Sequence, residues 1–196
     1  MLSDGRSVTI RPVHADDADA LVQMHERFSA RTVRRRFFTA MPHLSPEQAR
    51  RFSEVDGTSR VALVAQEDSG ALVAVARYDC LPSQQARERG PATTSAEVAI
   101  VVSDEFQHHG LGVALLRRLI TVARAHGVDH FTADVLMENR PMLATFRDAG
   151  LTYTAHAEAG VVHLELPLSP TGAAQVRADP AGMSAPGRAP GSNQAG

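Results

Sequence analysis

A single cysteine, Cys80, means that no disulfide forms within the chain. A fold without covalent staples fits a reducing compartment, and the cytoplasm is the expected setting. Tryptophan is absent, and Tyr78 and Tyr153 are the only tyrosines. No apolar run reaches the ~18 residues of a membrane-spanning helix. The opening MLSDGRSVTIRP alternates polar and apolar residues and lacks the continuous apolar stretch of a signal peptide. Nor is there an excess of one charge. The net charge is -2, so no global electrostatic argument favours nucleic acid or an anionic membrane as a partner. What remains is ordinary globular composition, 43% hydrophobic and 21% charged over 196 residues, enough for one well-buried core and short for two.

Along the chain, residues 8–10 read as a short strand closed by Arg11-Pro12. Asp16 and Asp17 stand where a helix start favours negative charge, and the spacing of Ala18, Leu21, Val22 and Met24 predicts a helix over 16–29. Residues 31–38 are basic and aromatic. Ser45-Pro46-Glu47-Gln48 carries a capping box with Pro at the first helical position, which predicts a helix ending near Val55. Strands over 60–66 and 71–78 flank the turn 67–70. Residues 82–94 read as a loop, 95–102 as a β-branched strand, and 103–112 as a polar, glycine-containing turn. From Leu111, apolar Leu115, Leu119 and Val122 share one helical face, opposite Arg117, Arg118 and Arg124. A strand over 131–137, a helix opened by Asn139 and ended by Gly150, and a hairpin over 151–155 and 161–166 complete the pattern. Residues 169–196 are rich in Ala, Gly, Pro and Ser and show no periodicity, so they are expected to be a disordered tail after a domain spanning 1–168. The order of elements, with a strand–helix–strand crossover in the second half, indicates a one-domain α/β or α+β fold.

The sharpest local feature is Gln107-His108-His109-Gly110-Leu111-Gly112, between a buried strand and an amphipathic helix. Glycine there permits positive φ and close approach of another molecule to the backbone. The unpaired first-turn N–H groups and the helix dipole make an anion cradle, suited to a pyrophosphate. Tight strand-to-helix packing is the other use of the same glycines. No Gly-Lys-Ser/Thr follows, so this is not a Walker A loop, and it is not Gly-x-Gly-x-x-Gly. His108 and His109 stand side by side, but no third ligand has suitable spacing, and no metal is expected.

The stretch from Ala96 through Gly112 resembles motif A of the GNAT superfamily of N-acetyltransferases, in which Gln/Arg-x-x-Gly-x-Gly/Ala follows the fourth strand. Glu138-Asn139-Arg140-Pro141-Met142 through Phe146-Arg147-Asp148-Ala149-Gly150-Leu151 resembles its motif B. The likeness implies a mixed, mostly antiparallel sheet of about seven strands with helices on both faces, splayed between the fourth and fifth strands. Acetyl-CoA would lie in that gap as cosubstrate. The backbone of Ile100 and Val102 would pair with pantetheine, with Val101 between them, and Gln107, His108, His109, Gly110, Leu111, Gly112 and Val113 would surround the pyrophosphate. Asn139, Met142 and Phe146 would approach from the motif B side.

An amine must lose a proton before it attacks a thioester. Glu97 shares a strand face with Ala99 and Val101 in otherwise apolar surroundings, where partial desolvation would raise a carboxyl pKa. The resemblance assigns a catalytic Glu to this position. The alternative is an edge Glu that reaches solvent or pairs with an Arg. Where many members carry a Tyr as general acid, this sequence has Phe146, which donates no proton. Cys80 lacks a visible supporting base for a role as acyl carrier.

Residues 31–38 read either as a helix end with solvated Arg and two core Phe, or as a wall of the acceptor site. Arg36-Phe37-Phe38 followed by Leu44-Ser45-Pro46-Glu47 resembles the GNAT domain of Pat-type bacterial protein lysine acetyltransferases. Three readings follow: transfer to a protein lysine, transfer to a small-molecule amine, or a non-catalytic acyl-CoA-binding sensor. The chain is expected to act as a monomer or homodimer.

Overall fold

A computed structural model of the chain describes residues 2–81 and 94–168. The expected tail over 169–196, and all but Thr94 of the expected loop over 82–94, lie outside the described residues. Seven strands form one sheet: β1 (Val8–Pro12), β2 (Arg60–Glu67), β3 (Leu72–Cys80), β4 (Ser95–Val102), β5 (His130–Leu136), β6 (Thr154–Glu158) and β7 (Val161–Pro167). Their spatial order is β1-β2-β3-β4-β5-β7-β6. All neighbours are antiparallel except β4 and β5, which run parallel because a helix carries the chain across between them.

The helices are α1 (Ala18–Glu26), α2 (Ala30–Phe37), α3 (Pro46–Ser53), α4 (Leu111–Ala125) and α5 (Arg140–Asp148), with short 3-10 turns at Ala15–Asp17 and Asp104–Phe106. Two cores sandwich the sheet. On one face, Leu111, Leu115, Leu116 and Leu119 of α4 and Phe146 of α5 pack on Leu63, Ala76, Tyr78, Val98, Ile100 and Phe131. On the other, Leu21 and Met24 of α1 and Ala49 of α3 pack on Ala62, Val64 and Leu72. The mixed architecture with helices on both faces is the expected one.

Two expected elements, one near each end of the domain, need correction. The predicted helix over 16–29 is interrupted. Asp17 does not start it freely but accepts two hydrogen bonds from the Arg11 guanidinium, both 2.8 Å, and α1 ends at Glu26. Ser29 then caps a separate helix, accepting from the Thr32 N–H, so the basic-aromatic stretch is itself α2. The closing hairpin begins later than predicted, at Thr154, because Leu151 is buried and its N–H is bonded to Phe146 O behind the Gly150 helix end.

Candidate functional site

The strand pair β4–β5 holds together only at its start. Ser95, Ala96 and Glu97 pair with His130, Phe131 and Thr132, and there the pairing stops. Beyond it β5 continues against β7 while β4 continues against β3. The second half of β4, residues 98–102, thus faces an opening with no strand on that side. In a sheet interior, unpaired backbone groups demand another partner.

The opening is a cavity of about 340 Å³. Ile100, Val101 and Val102 form its strand wall, and Gln107, His108, Gly110, Leu111, Gly112 and Val113 form its floor at the start of α4. Asn139 and Met142 contribute from the opposite side, and Thr32, Arg35 and Arg36 from α2. Most residues singled out in the sequence therefore converge here. Two do not line it. The His109 ring turns away to the N-terminal segment, with Nδ1 3.4 Å from the Asp4 carboxylate and 3.3 Å from Ser3 Oγ. Phe146 is buried in the core beneath α4.

The cradle geometry follows from its residues. Gly110 precedes the first turn of α4 with φ 83°, and His108 takes φ 64°, so the loop turns its backbone through left-handed conformations before the helix starts. Gly110 has open space around its Cβ position. At Gly112 a Cβ would stand 3.5 Å from Thr145 Cγ2 and 3.8 Å from Val102 Cγ2, ordinary contact distances, so α4 faces α5 and β4 at this position with room for a methyl group. Asn139 is buried at the N-terminal position of α5, yet its side chain makes no capping bond, and Pro141 sits in the first turn.

A polar chain fixes the loop. Gln107 Nε2 donates to Val102 O at 3.0 Å and to Thr32 Oγ1 at 3.1 Å. Thr32 Oγ1 in turn donates to Asp104 Oδ1 at 2.9 Å, and Ser29 donates to Asp104 from both N and Oγ. Burial alone would raise the Asp104 carboxyl, but the bonds from Ser29 and Thr32 outweigh it and hold the pKa below the ordinary value. This chain links α2 to the β4–α4 loop. Thr32 and Arg35 fall in the stretch 31–38 that the sequence offered as a wall of the acceptor site, but no local pattern says which face of α2 meets β4.

Glu97 stands at the fork, the last β4 residue paired with β5, with Asp79 opposite it on β3. Contrary to the expected desolvation, it is exposed. The physical reason is that α2 lays Thr32, Arg35 and Arg36 against residues 100–102, the far end of β4, and leaves the near end uncovered. Tyr78 is wholly buried, donating to Thr58 O at 2.9 Å with His126 Nδ1 2.8 Å away, and burial pushes its pKa up to about 12. Burial likewise pushes the Cys80 thiol up, away from the reactive thiolate. Among the described residues, no three His, Cys, Asp or Glu side chains group to hold a metal, and no helix is long and apolar enough to cross a membrane.

A forked parallel pair beside a glycine-turned helix start is the framework of a CoA-type site, and comparison with known proteins agrees. The model of the acetyltransferase (GNAT) family matches residues 23–151. The chain is 31% identical over 145 residues to acetyltransferase PA5475 of Pseudomonas aeruginosa, covering 72% of this chain and 73% of that protein. It is 32% identical over 164 residues to acetyltransferase Pat of Mycolicibacterium smegmatis, covering 82% of this chain but 46% of that longer protein. The crystal structure of the GNAT domain of S. lividans PAT matches with TM-score 0.75 at 38% identity, covering 85% of this chain and 93% of that one. The chain belongs to the GNAT family of acetyltransferases.

Proposed function

We propose that this chain transfers an acetyl group from acetyl-CoA to an amine, with a protein lysine side chain as acceptor and Glu97 as general base. The observation that carries the reading is the fork itself. Strand β4 loses its β5 partner after Glu97, and the opening leads to the amides of residues 108–112. Unpaired strand backbone suits the amides of pantetheine, and the helix start suits a pyrophosphate. The lysine acceptor rests on the resemblance of residues 36–47 to Pat-type bacterial protein lysine acetyltransferases, and the GNAT domain of S. lividans PAT is among the structures the chain matches.

In this reading Glu97 takes a proton from the ammonium, directly or through one water. The freed amine then attacks the thioester carbonyl, the C–N bond forms, the nitrogen passes its second proton to water, and the C–S bond breaks with CoA leaving as thiolate. An exposed carboxylate becomes a stronger base when a bound acceptor strips its water, so desolvation here comes with the substrate. Phe146 has no proton to give, Tyr78 is bonded elsewhere, and Tyr153 packs against the core and does not line the cavity. A thiolate is a good leaving group near neutral pH, and solvent supplies its proton. The half-buried Cys80, alone in the sequence, is consistent with a cytoplasmic setting.

Thiol release from acetyl-CoA is the test, with lysine peptides, polyamines and aminoglycosides as acceptors. Release with lysine peptides supports the full reading. Release only with small amines keeps the transfer and removes the lysine acceptor. Tight acetyl-CoA binding without release from any acceptor favours a sensor.

A further inference from the structure

Helix α2 brings two arginines to the cavity, Arg35 and Arg36. The Arg35 Nε is buried without a hydrogen-bond partner. Arg36 rests against the Phe37 ring at 4.9 Å and makes no hydrogen bond or ion pair among the described residues. Behind it, on the same face of the sheet as Val101, lies Arg77, 8% exposed, whose Nη1 has no partner. Arg36 and Arg77 together line a smaller pocket of about 30 Å³ between α1, α2 and the sheet.

Asp79 pairs with Arg77 and leaves Arg36 without an ion-paired acid among the described residues. Asp79 is saturated: Arg77 reaches its two oxygens at 2.8 and 2.9 Å, and Arg60 adds a bond at 3.0 Å. Glu97, the other acid near Arg36, is exposed and is needed as a base in the proposed reaction. When Glu97 takes a proton it ceases to balance Arg36. Burial, and then the adjacent Arg77 charge, already push the Arg36 pKa down to about 10, which shows how little compensation the site contains. Partly desolvated guanidinium groups with spare, planar donors are suited to a carboxylate.

We propose that Arg36, backed by Arg77, is the acceptor-binding element of this site, and that the preferred acceptors are amines carrying a carboxylate close to the reacting nitrogen. This rests on the acetyl-transfer reading above. The same chemistry is offered by a lysine flanked by acidic residues and by a small amino acid. Arg36 holds the acid group on the α2 side of the sheet while the amine stands at Glu97, at the mouth of the fork. The bound acid supplies the negative charge that Glu97 gives up on protonation.

Matched acceptors test this on the full chain without any substitution. The peptides are acetyl-Glu-Lys-Glu-amide and acetyl-Gln-Lys-Gln-amide, and the small pair is β-alanine and its amide. Thiol release should show a kcat/KM about tenfold or more higher for the acidic member of at least one pair, the scale of a hydrogen bond between charged groups. Preference in the peptide pair names a protein acceptor, and preference in the small pair names a free amino acid. Arg36→Gln should erase the acidic-over-amide ratio through the acceptor KM, a readout that is internal to each matched pair and independent of any change in the acetyl-CoA KM. Equal use of acidic and amide acceptors overturns this inference and leaves acetyl transfer standing. So does an Arg36→Gln effect confined to the acetyl-CoA KM. No release from any acceptor overturns both.

Discussion

Replacing Gly110 and Gly112 by Ala, one at a time, should move stability in opposite directions. At Gly110 the added Cβ meets nothing within 4 Å, so crowding is not the issue, but φ is 83°. An L-residue pays roughly 1–2 kcal/mol in the left-handed region, against roughly 0.4–1 kcal/mol gained by restricting the unfolded chain. The net is a loss of about 1 kcal/mol. At Gly112 the backbone is helical, and the Cβ would sit 3.5 Å from Thr145 and 3.8 Å from Val102, ordinary contact distances. Only the unfolded-state and helix-propensity terms remain, a gain of about 0.5–1 kcal/mol. For a chain of this size each kcal/mol shifts Tm by about 2–4 °C. Thermal unfolding followed by circular dichroism, without ligand, should show Gly110→Ala below the native chain and Gly112→Ala above it. Titration calorimetry with acetyl-CoA should show both variants binding more weakly, because each adds bulk where the proposed reading puts the pyrophosphate against the backbone. If both melting points fall together, the account of this loop is wrong. If Gly112→Ala binds acetyl-CoA as tightly as the native chain, Gly112 serves packing alone.

Glu97→Gln should lower kcat by about 10²-fold or more while acetyl-CoA affinity stays nearly unchanged, and turnover within about threefold of native removes Glu97 as the base. Gln107→Ala should cost about 1 kcal/mol in chemical denaturation, since Val102 O and Thr32 Oγ1 each lose a donor, and it should raise the acetyl-CoA KM; unchanged values for both separate Gln107 from the loop's support. The Asp17 carboxyl is held below its ordinary range chiefly by the hydrogen bonds from Arg11. A carboxyl depressed in the folded state gives stability that is present above its unfolded value of about 4 and lost as pH falls through the folded one. Asp17→Asn should therefore flatten the acid side of the stability–pH curve, and an unaltered curve refutes the assignment.

The parts of the fold written in local chemistry were legible. Ser45 and Gln48 form the expected capping box, in which the Ser45 N–H donates to Gln48 Oε1 at 2.9 Å and the Gln48 N–H to Ser45 Oγ at 3.1 Å. The turn at 67–70 joins β2 to β3, and α4 starts and stops where its glycines put it. Helix α2 was not legible as a helix, since its run of arginines hides the apolar period and its cap, Ser29, falls inside the apparent span of the preceding helix. The exposure of Glu97 was also hidden. Strand alternation says which face a residue takes, but which end of that face α2 covers is a long-range fact. The turn from Gln107 to Gly112 was legible because the chemistry of a glycine-turned helix start is local, whereas Ile100, Val101, Val102, Asn139 and Met142 came from the resemblance to motifs A and B. Arg36 and Arg77 were not joined in advance, being brought together only by the packing of α2 on the sheet.

Amide hydrogen exchange with and without acetyl-CoA tests the central claim most directly, since the claim concerns backbone groups. The account predicts slowed exchange in residues 98–102, where β4 has lost its partner, and in residues 108–113 at the start of α4, with little change in β1 and β6 at the sheet edges. Protection that spares both segments, or that falls mainly elsewhere, contradicts acetyl-CoA binding in the fork.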